Sequence, residues 1–294
     1  MRWPLFGRGE SAKRMARYDV RTTELTALRR HLPAMRTTAD ELAHGVAHLQ
    51  VLTGTAALQQ SVYGVTALSD LHAAAVSDLE KGRDFGAMVL AKEGIRLAVD
   101  ATYVFCDPEG SRLEALIRHQ LDAERERLAH WKRAFPEDTQ PGPCLRRLDD
   151  LCRRSPWYAQ APEWPSFVGR AEAVGLDSWI HPIFAAASGA SEAATRQFIN
   201  AVEREQLPES EHAAASRYGT ARDLSDTLYV EAVALLLFAH VLHQLSVNVG
   251  DAVATTVAEC GKERMESLLA EHDALAEAHA NDRNVYFALR SAGG

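Results

Sequence analysis

Residues 233–242 read Val-Ala-Leu-Leu-Leu-Phe-Ala-His-Val-Leu and form the longest apolar run of the chain. A helix that crosses a bilayer needs about 20 apolar residues, and this run is much shorter. A helix that is apolar around its whole circumference is typical of the centre of a bundle. The run therefore predicts a buried core helix, within a helical stretch expected over residues 222–249, and not a membrane segment.

A second central helix is predicted over residues 84–105, because apolar side chains cover most of its circumference. Its polar side chains recur at spacings of three and four and so form one stripe, made of Lys92, Glu93, Arg96 and Asp100. At these spacings Arg96 can pair with either acidic neighbour. The stripe is either a solvated ladder of ion pairs or a polar strip inside a bundle, and the sequence leaves both interpretations open.

The rest of the 294-residue chain also has helical periodicity, and no strand pattern of period two is found. Apolar residues make up 47% of the chain and charged residues 24%, which are ordinary values for a globular protein with a hydrophobic core. The sequence predicts an all-α fold, a multi-helix bundle of about eight to eleven helices. We expect a single domain over residues 14–290.

Two segments depart from this helical pattern. Residues 1–13 are basic and are predicted to form a flexible arm. Prolines interrupt residues 136–165, which are predicted to form a long loop with one short helix at 144–154. The loop carries three aromatic side chains, Trp157, Tyr158 and Trp164. They either cover a pocket as a lid or fasten the loop to the core.

Two short patterns resemble capping boxes, in which a hydroxyl accepts from a free helix N–H and a carboxylate reaches back. Thr38 with Glu41 predicts a helix that starts near residue 40, and Ser111 with Glu114 predicts another that starts near residue 111.

Glu41, His44 and His48 form the first candidate site. On a helix they lie within about 60° of one another. A Glu-x-x-His pair is the ligand unit of di-iron helical bundles, because both side chains then project into one cavity. Glu209 and His212 repeat that spacing. The sequence favours a protein without a cofactor, and a divalent metal ion bound by Glu41, His44 and His48 is the alternative to an exposed polar face.

The second candidate site combines the two central helices. His240 and His243 interrupt the most apolar helix, and a buried imidazole needs a hydrogen bond or a metal ion. Together with Glu93, Arg96 and Asp100 they are the candidate catalytic residues of an interior cavity, with general acid–base chemistry as their role. The alternative is a pair of core histidines with satisfied hydrogen bonds.

Common catalytic patterns are missing from the sequence. It contains no Walker loop, GxGxxG, HExxH, GxSxG or CxxC motif, which argues against the usual nucleotide-binding, peptidase and hydrolase classes. The net charge of −8 argues against a nucleic-acid surface. Four scattered cysteines are typical of reduced thiols, so we expect a soluble cytoplasmic protein with no membrane contact.

Residues 84–103, followed by Asp107-Pro108-Glu109, resemble an uncharacterised bacterial all-helical family. A later motif of that family corresponds to residues 184–192 here. Its arginine-to-histidine spacing is similar to the Arg-x(4–6)-His motif of HEPN-type helical ribonucleases, which implies an RNA-related ancestor. Ala185 and Glu192 stand where the arginine and histidine of that motif would be, and Ser188 is retained. The resemblance therefore implies a degenerate catalytic motif.

Two functional hypotheses follow. The first is a bacterial helical binding or regulatory module that acts with a protein partner or as a homo-oligomer, such as a dimer. The second is a helical-bundle enzyme that acts on a small molecule in an interior cavity, with or without a metal ion. The sequence does not decide whether the protein is an enzyme.

Overall fold

The computed structural model describes residues 8–49, 56–107, 109–184, 198, 201, 202, 205 and 207–291. These residues are helical almost throughout and include no strand, so the predicted all-α multi-helix fold is confirmed. The α-helices are α1 (Arg8–Ala27), α2 (Leu32–His48), α3 (Ala56–Glu80), α4 (Asp84–Phe105), α5 (Ser111–Ala134), α6 (Pro141–Arg154), α7 (Pro156–Gln160), α8 (Phe167–Ala173), α9 (Asp177–Phe184), α10 (His212–Val249) and α11 (Ala252–Ser291). Short 3-10 helices precede α2 at Leu28–His31 and α10 at Glu209–Glu211.

Helix α10 contains the long apolar run. Residues 232–239 are all buried inside the molecule, as expected for a core helix. By length and composition, residues 209–249 would also suffice to cross a membrane, but 78% of their most apolar window is buried inside the molecule. The helix ends at Gly250, whose positive φ of 75° suits a residue without a Cβ, and Asp251 then caps α11.

The chain divides into two compact units. The first unit comprises Met1–Leu49, Val65–Ala98 and Trp179–Gly294, and the second comprises Gln50–Gly64 and Val99–Ser178. The expectation of one domain stays a prediction, because compact groups of contacts need not fold separately. Helix α1 already begins at Arg8, so the last part of the arm expected at residues 1–13 is helical.

Close helix packing in the first unit depends on glycines. A Cβ at Gly45 of α2 would lie 3.0 Å from a methyl carbon of Leu242 on α10, and a Cβ at Gly261 of α11 would lie 3.3 Å from a methyl carbon of Leu42. Such separations are at or below van der Waals contact, so the backbones approach closely only because these side chains are absent.

Neither capping box forms as predicted. Helix α2 begins at Leu32, so Thr38 and Glu41 lie in its interior, where both accept hydrogen bonds from Nη1 of Arg264 on α11 at 2.8 Å. At α5, the Ser111 hydroxyl donates to Asp107, whose carboxylate also accepts from the Arg112 backbone N–H. The hydrogen bonds expected within each capping box are thus replaced by other contacts. In α2 the partner is Arg264 of a distant helix, and at α5 it is Asp107, which precedes the helix.

The proline-rich segment of the second unit is mostly helical, since α6 and α7 lie within it. Its aromatic side chains contact neighbouring helices. The Tyr158 hydroxyl donates a hydrogen bond to Asp122 of α5, and the Trp164 ring packs edge-on against Tyr103 at a centroid separation of 5.4 Å. These contacts favour aromatic side chains that fasten the segment to the core over a lid.

Candidate functional site

The predicted metal-binding trio lies on α2, but its members have different partners. Glu41 accepts a hydrogen bond from Arg264, as described above. The exposed imidazoles of His44 and His48 contact each other, with their Nε2 atoms 3.1 Å apart. Among the residues that the structure describes, no group of three His, Cys, Asp or Glu side chains has the geometry of a metal site.

The predicted catalytic residues on α4 also separate. Arg96 pairs with Glu93 at 3.3 Å and lies 5.5 Å from the ring centroid of Phe184. Asp100, in the second unit, accepts a hydrogen bond of 2.7 Å from Nε of Arg170, whose side chain is almost fully buried. The polar stripe of α4 therefore contains two ion pairs. The pair of Glu93 and Arg96 is exposed to solvent, whereas Asp100 pairs with a buried guanidinium.

On α10 the two predicted histidines face different neighbours. The Nε2 atom of His240 lies 2.9 Å from the side-chain nitrogen of Gln244, and burial lowers the pKa of His240, with smaller contributions from Lys262 and His243. His243 lies 3.3 Å from Glu259 of α11. Neither histidine forms a hydrogen bond or ion pair with Glu93, Arg96 or Asp100 among the described residues, and the catalytic assignment of the five residues stays a prediction.

The most deeply buried polar contact involves two residues that the sequence analysis did not select. Nδ1 of His72 on α3 lies 3.0 Å from Oε1 of Glu231 on α10, and both residues have no exposed surface. The imidazole stacks on Phe238 with ring centroids 5.6 Å apart. Burial raises the pKa of Glu231, and His72 opposes that shift. This contact is hereafter the core dyad.

Gly94 of α4 completes the walls of the core dyad. A Cβ at this position would lie 2.8 Å from Cε1 and 2.9 Å from Nε2 of His72. The imidazole edge therefore packs directly on the α4 backbone. One signal in the sequence indicates such a site: Glu231 interrupts the apolar stretch 230–239, and a carboxylate there must find a partner.

A second group of buried imidazoles lies in the first unit. His31 and His272 meet edge-to-face with ring centroids 5.3 Å apart, and Tyr229 packs on His272 at 5.9 Å. Glu271 accepts hydrogen bonds from Nε2 of His31 at 2.9 Å and from Arg30 at 2.7 Å. Burial lowers the pKa of His272 to about 4, so this ring is neutral at physiological pH.

A cavity of about 460 Å³ lies in the first unit, with walls from α1, the segment after it, the start of α4 and α10. Its lining combines hydroxyl, guanidinium and carboxylate groups with two apolar side chains. The nine lining residues are Thr22, Thr26, Arg29, Asp84, Ser216, Arg217, Thr220, Ala221 and Leu224. The cavity is shallow and wide open to solvent, so a small polar molecule can reach its lining.

Asp84 is the most perturbed group of this cavity. Its Oδ1 atom is buried and has no hydrogen-bond partner among the described residues. Burial raises the pKa of Asp84 and nearby Asp223 raises it further, whereas Arg29 lowers it. Arg29 forms no ion pair at contact distance with a described carboxylate, and Arg217 is held by Asp19 at 3.0 Å.

A polar stripe on α10 runs from this end of the unit toward the core dyad. Asp223, Thr227 and Glu231 follow at intervals of four residues and so share one helix face. Thr227 and Glu231 are both buried, and the Thr227 hydroxyl donates to the Asp223 carbonyl at 2.8 Å. Buried polar groups therefore occur on this face of α10, and a site at His240 and His243 stays a prediction.

Comparison with known proteins found no match: no protein-family model, no curated protein and no solved structure corresponds to this chain. The motif expected at residues 184–192 lies, apart from Phe184, outside the described residues.

Proposed function

We propose that this protein is a helical binding module whose regulatory ligand occupies the 460 Å³ cavity of the first unit. The observation that carries the proposal is a partly buried carboxylate, Asp84, that lies near the exposed guanidinium of Arg29 in that cavity. Asp84 has a buried carboxylate oxygen without a hydrogen-bond partner among the described residues, and the nearby Arg29 has no ion-pair contact there. Buried polar atoms are costly without partners, so a ligand that supplies them gains binding free energy.

The lining selects a class of ligand. A hydrogen-bond donor or cationic group would satisfy Asp84, and an anionic group would be attracted by Arg29, with hydroxyls of neighbouring threonines and a serine at hand. A small zwitterion, with an ammonium and a carboxylate or phosphate, has both features. Two apolar side chains, Ala221 and Leu224, leave room for a short carbon skeleton.

The alternative of an enzyme has less support. General acid–base catalysis needs groups that converge on one substrate. Of the five predicted catalytic residues, Glu93 and Arg96 contact each other, whereas Asp100, His240 and His243 contact residues outside the set. We propose that the protein acts in the bacterial cytoplasm. Binding of the ligand would alter its association with a protein partner or with a second copy of the chain. It assigns no role to nucleic acid or to a membrane.

Thermal unfolding tests the proposal with four sets of probes: α-amino acids, phosphorylated amines, dicarboxylates and polyamines. A ligand that binds only the folded state at 100 times its Kd adds about 2.7 kcal/mol to the free energy of unfolding. We expect zwitterions to raise the Tm of the wild type, and Asp84→Asn or Arg29→Gln to abolish that rise.

The matched control is the exposed ion pair of Asp150 and Arg153 in the second unit. Asp150→Asn and Arg153→Gln make the same chemical changes away from the cavity and should retain the response. A response that survives both cavity variants, or no response to any of the four sets, contradicts the proposal.

A further inference from the structure

The exposed histidines of α2 are spaced like the two ligands of a chelated metal ion. His44 and His48 lie one turn apart, and their Nε2 atoms are separated by 3.1 Å. In the present contact one nitrogen donates a hydrogen bond and the other accepts it. The two rings meet edge-to-face with centroids 4.6 Å apart, so the nitrogens approach each other and the ring faces do not stack.

This separation matches what a first-row divalent cation requires. Metal–imidazole bonds of about 2.0–2.1 Å place two ligand nitrogens about 3.3–3.4 Å apart at a tetrahedral angle and about 2.9 Å apart at a right angle. The observed 3.1 Å lies between these values. Rotation of the two exposed rings about their side-chain bonds is enough to aim both lone pairs at one point.

The helix that carries the pair is already formed and packed. Leu42 and Gly45 of α2 are buried, and so is Leu49, which directly follows the helix. Chelation therefore does not need to order the helix, and the ordering cost that weakens metal binding by flexible segments is avoided. Exposure of both imidazoles leaves an open path for the ion and room for water in the remaining coordination positions.

Glu41, the third member of the trio expected from the sequence, is engaged elsewhere. Its carboxylate lies 2.8 Å from Nη1 of Arg264, which also donates to Thr38. Breaking this contact to recruit a third ligand would forfeit a charge-assisted hydrogen bond.

We propose that His44 and His48 form a two-imidazole chelate for a divalent cation of the nickel, copper and zinc group, with water in the other positions and without Glu41. Imidazole nitrogen suits these ions, and carboxylate or carbonyl oxygen would be needed for magnesium or calcium. The site is independent of the cavity proposed for the regulatory ligand.

Calorimetric titration of the untagged, reduced protein with Ni²⁺ at pH 7.5 tests the proposal. We expect one saturable site per chain, and at least about a tenfold loss of affinity for both His44→Gln and His48→Gln, since loss of even an outer partner of a ligand typically costs 10–100-fold.

Two controls separate this site from other arrangements. His130→Gln removes an exposed histidine of α5 that has no second histidine one turn away on the helix, and it should leave the affinity unchanged. The double variant Glu41→Gln, Arg264→Gln removes the neighbouring ion pair without changing the net charge and should also leave it unchanged. The proposal is overturned if no saturable site is observed, if either His44 or His48 can be replaced without loss, or if the double variant loses affinity as strongly as His48→Gln.

Discussion

Nδ1 of His72 lies 3.0 Å from Oε1 of Glu231, and neither residue has any exposed surface. Three helices supply the surroundings of this contact: α3 carries His72, α10 carries Glu231 and Phe238, and α4 supplies the bare backbone at Gly94. Removal of one partner leaves the other buried without its hydrogen bond. The dyad is therefore expected to be sensitive to single substitutions and tolerant of a double one.

Substitution of the core dyad tests this expectation. Glu231→Leu should lower the free energy of unfolding by about 3–5 kcal/mol, because His72 then loses its short hydrogen bond to a buried carboxylate. His72→Leu should cost a similar amount. The double variant should be much less destabilised than the sum, since two apolar side chains can pack without an unmet polar group. Urea unfolding of the wild type, the two single variants and the double variant gives the coupling free energy between His72 and Glu231.

Additive losses in this cycle would contradict a direct contact between the two side chains. Glu231→Gln is the conservative control: its amide keeps a hydrogen-bonding group of the same shape and should cost less than Glu231→Leu.

Gly94→Ala tests the close approach of α4 to His72. The new Cβ would lie 2.8 Å from Cε1 of a buried imidazole, which has no room to withdraw. Overpacking of this kind costs about 1–3 kcal/mol and outweighs the helix-propensity gain of about 1 kcal/mol. Thermal unfolding should show a lower Tm.

Gly219→Ala on α10 is the matched control, because a Cβ there meets nothing within 4 Å. It should raise the stability by up to about 1 kcal/mol. If both glycine variants change the Tm in the same direction, packing against His72 does not govern residue 94.

The lowered pKa of His272 predicts a loss of stability in mild acid. Its pKa is about 4 in the folded protein against 6.5 for the ordinary group, so the unfolded chain binds this proton first as the pH falls. Stability that is fully present above pH 6.5 is lost progressively down to pH 4, by about 3 kcal/mol. Urea unfolding between pH 7 and pH 4 measures the slope.

His272→Phe keeps an aromatic ring between His31 and Tyr229 and removes the titrating group. This variant should lose less stability over the same pH range, whereas His130→Gln on the surface of α5 should behave as the wild type. An equal slope in the His272 variant would contradict the assignment. Glu271, whose pKa is lowered by its hydrogen bonds to Arg30 and His31, adds a loss in the same direction at lower pH.

Arg170 is predicted to be the most sensitive arginine of the second unit. It is only 8% exposed, donates to Asp100 at 2.7 Å and to the Pro165 carbonyl, and lies over the Trp164 ring at 4.6 Å. A lysine ammonium cannot make the planar stacking and the forked donation together. Arg170→Lys should therefore cost about 2–4 kcal/mol and shift the tryptophan fluorescence.

The control for Arg170 is Arg153, an exposed arginine that pairs with Asp150 on the same helix. Arg153→Lys should change the free energy of unfolding by less than about 0.5 kcal/mol. Similar losses for the two variants would show that the buried contacts of Arg170 contribute no more than a surface ion pair.

The candidate site was only partly predictable. A polar interior on α10 was expected at His240 and His243, and the most deeply buried contact of this helix is at Glu231, two residues before the apolar run. His72 lies in an alanine-rich stretch of α3, with no local pattern that indicates a partner 159 residues away. The Thr38–Glu41 capping box was wrong for a related reason, because Arg264 reaches Thr38 and Glu41 from a helix more than 220 residues away in sequence.

What the sequence alone determined is the class of fold and the core helix. Helical structure is predictable from short stretches of sequence, because its signals act within a few turns. These signals are the hydrophobic periodicity, the positions of proline and glycine, and the run at residues 233–242. Gly82 and Gly250, for example, follow the ends of α3 and α10 with positive φ, which glycine adopts at little cost. Pairings between distant side chains were decided only by tertiary structure. Helix packing brings His72 to Glu231 and Asp84 near Arg29, and the free energy of those contacts depends on burial that no local pattern specifies.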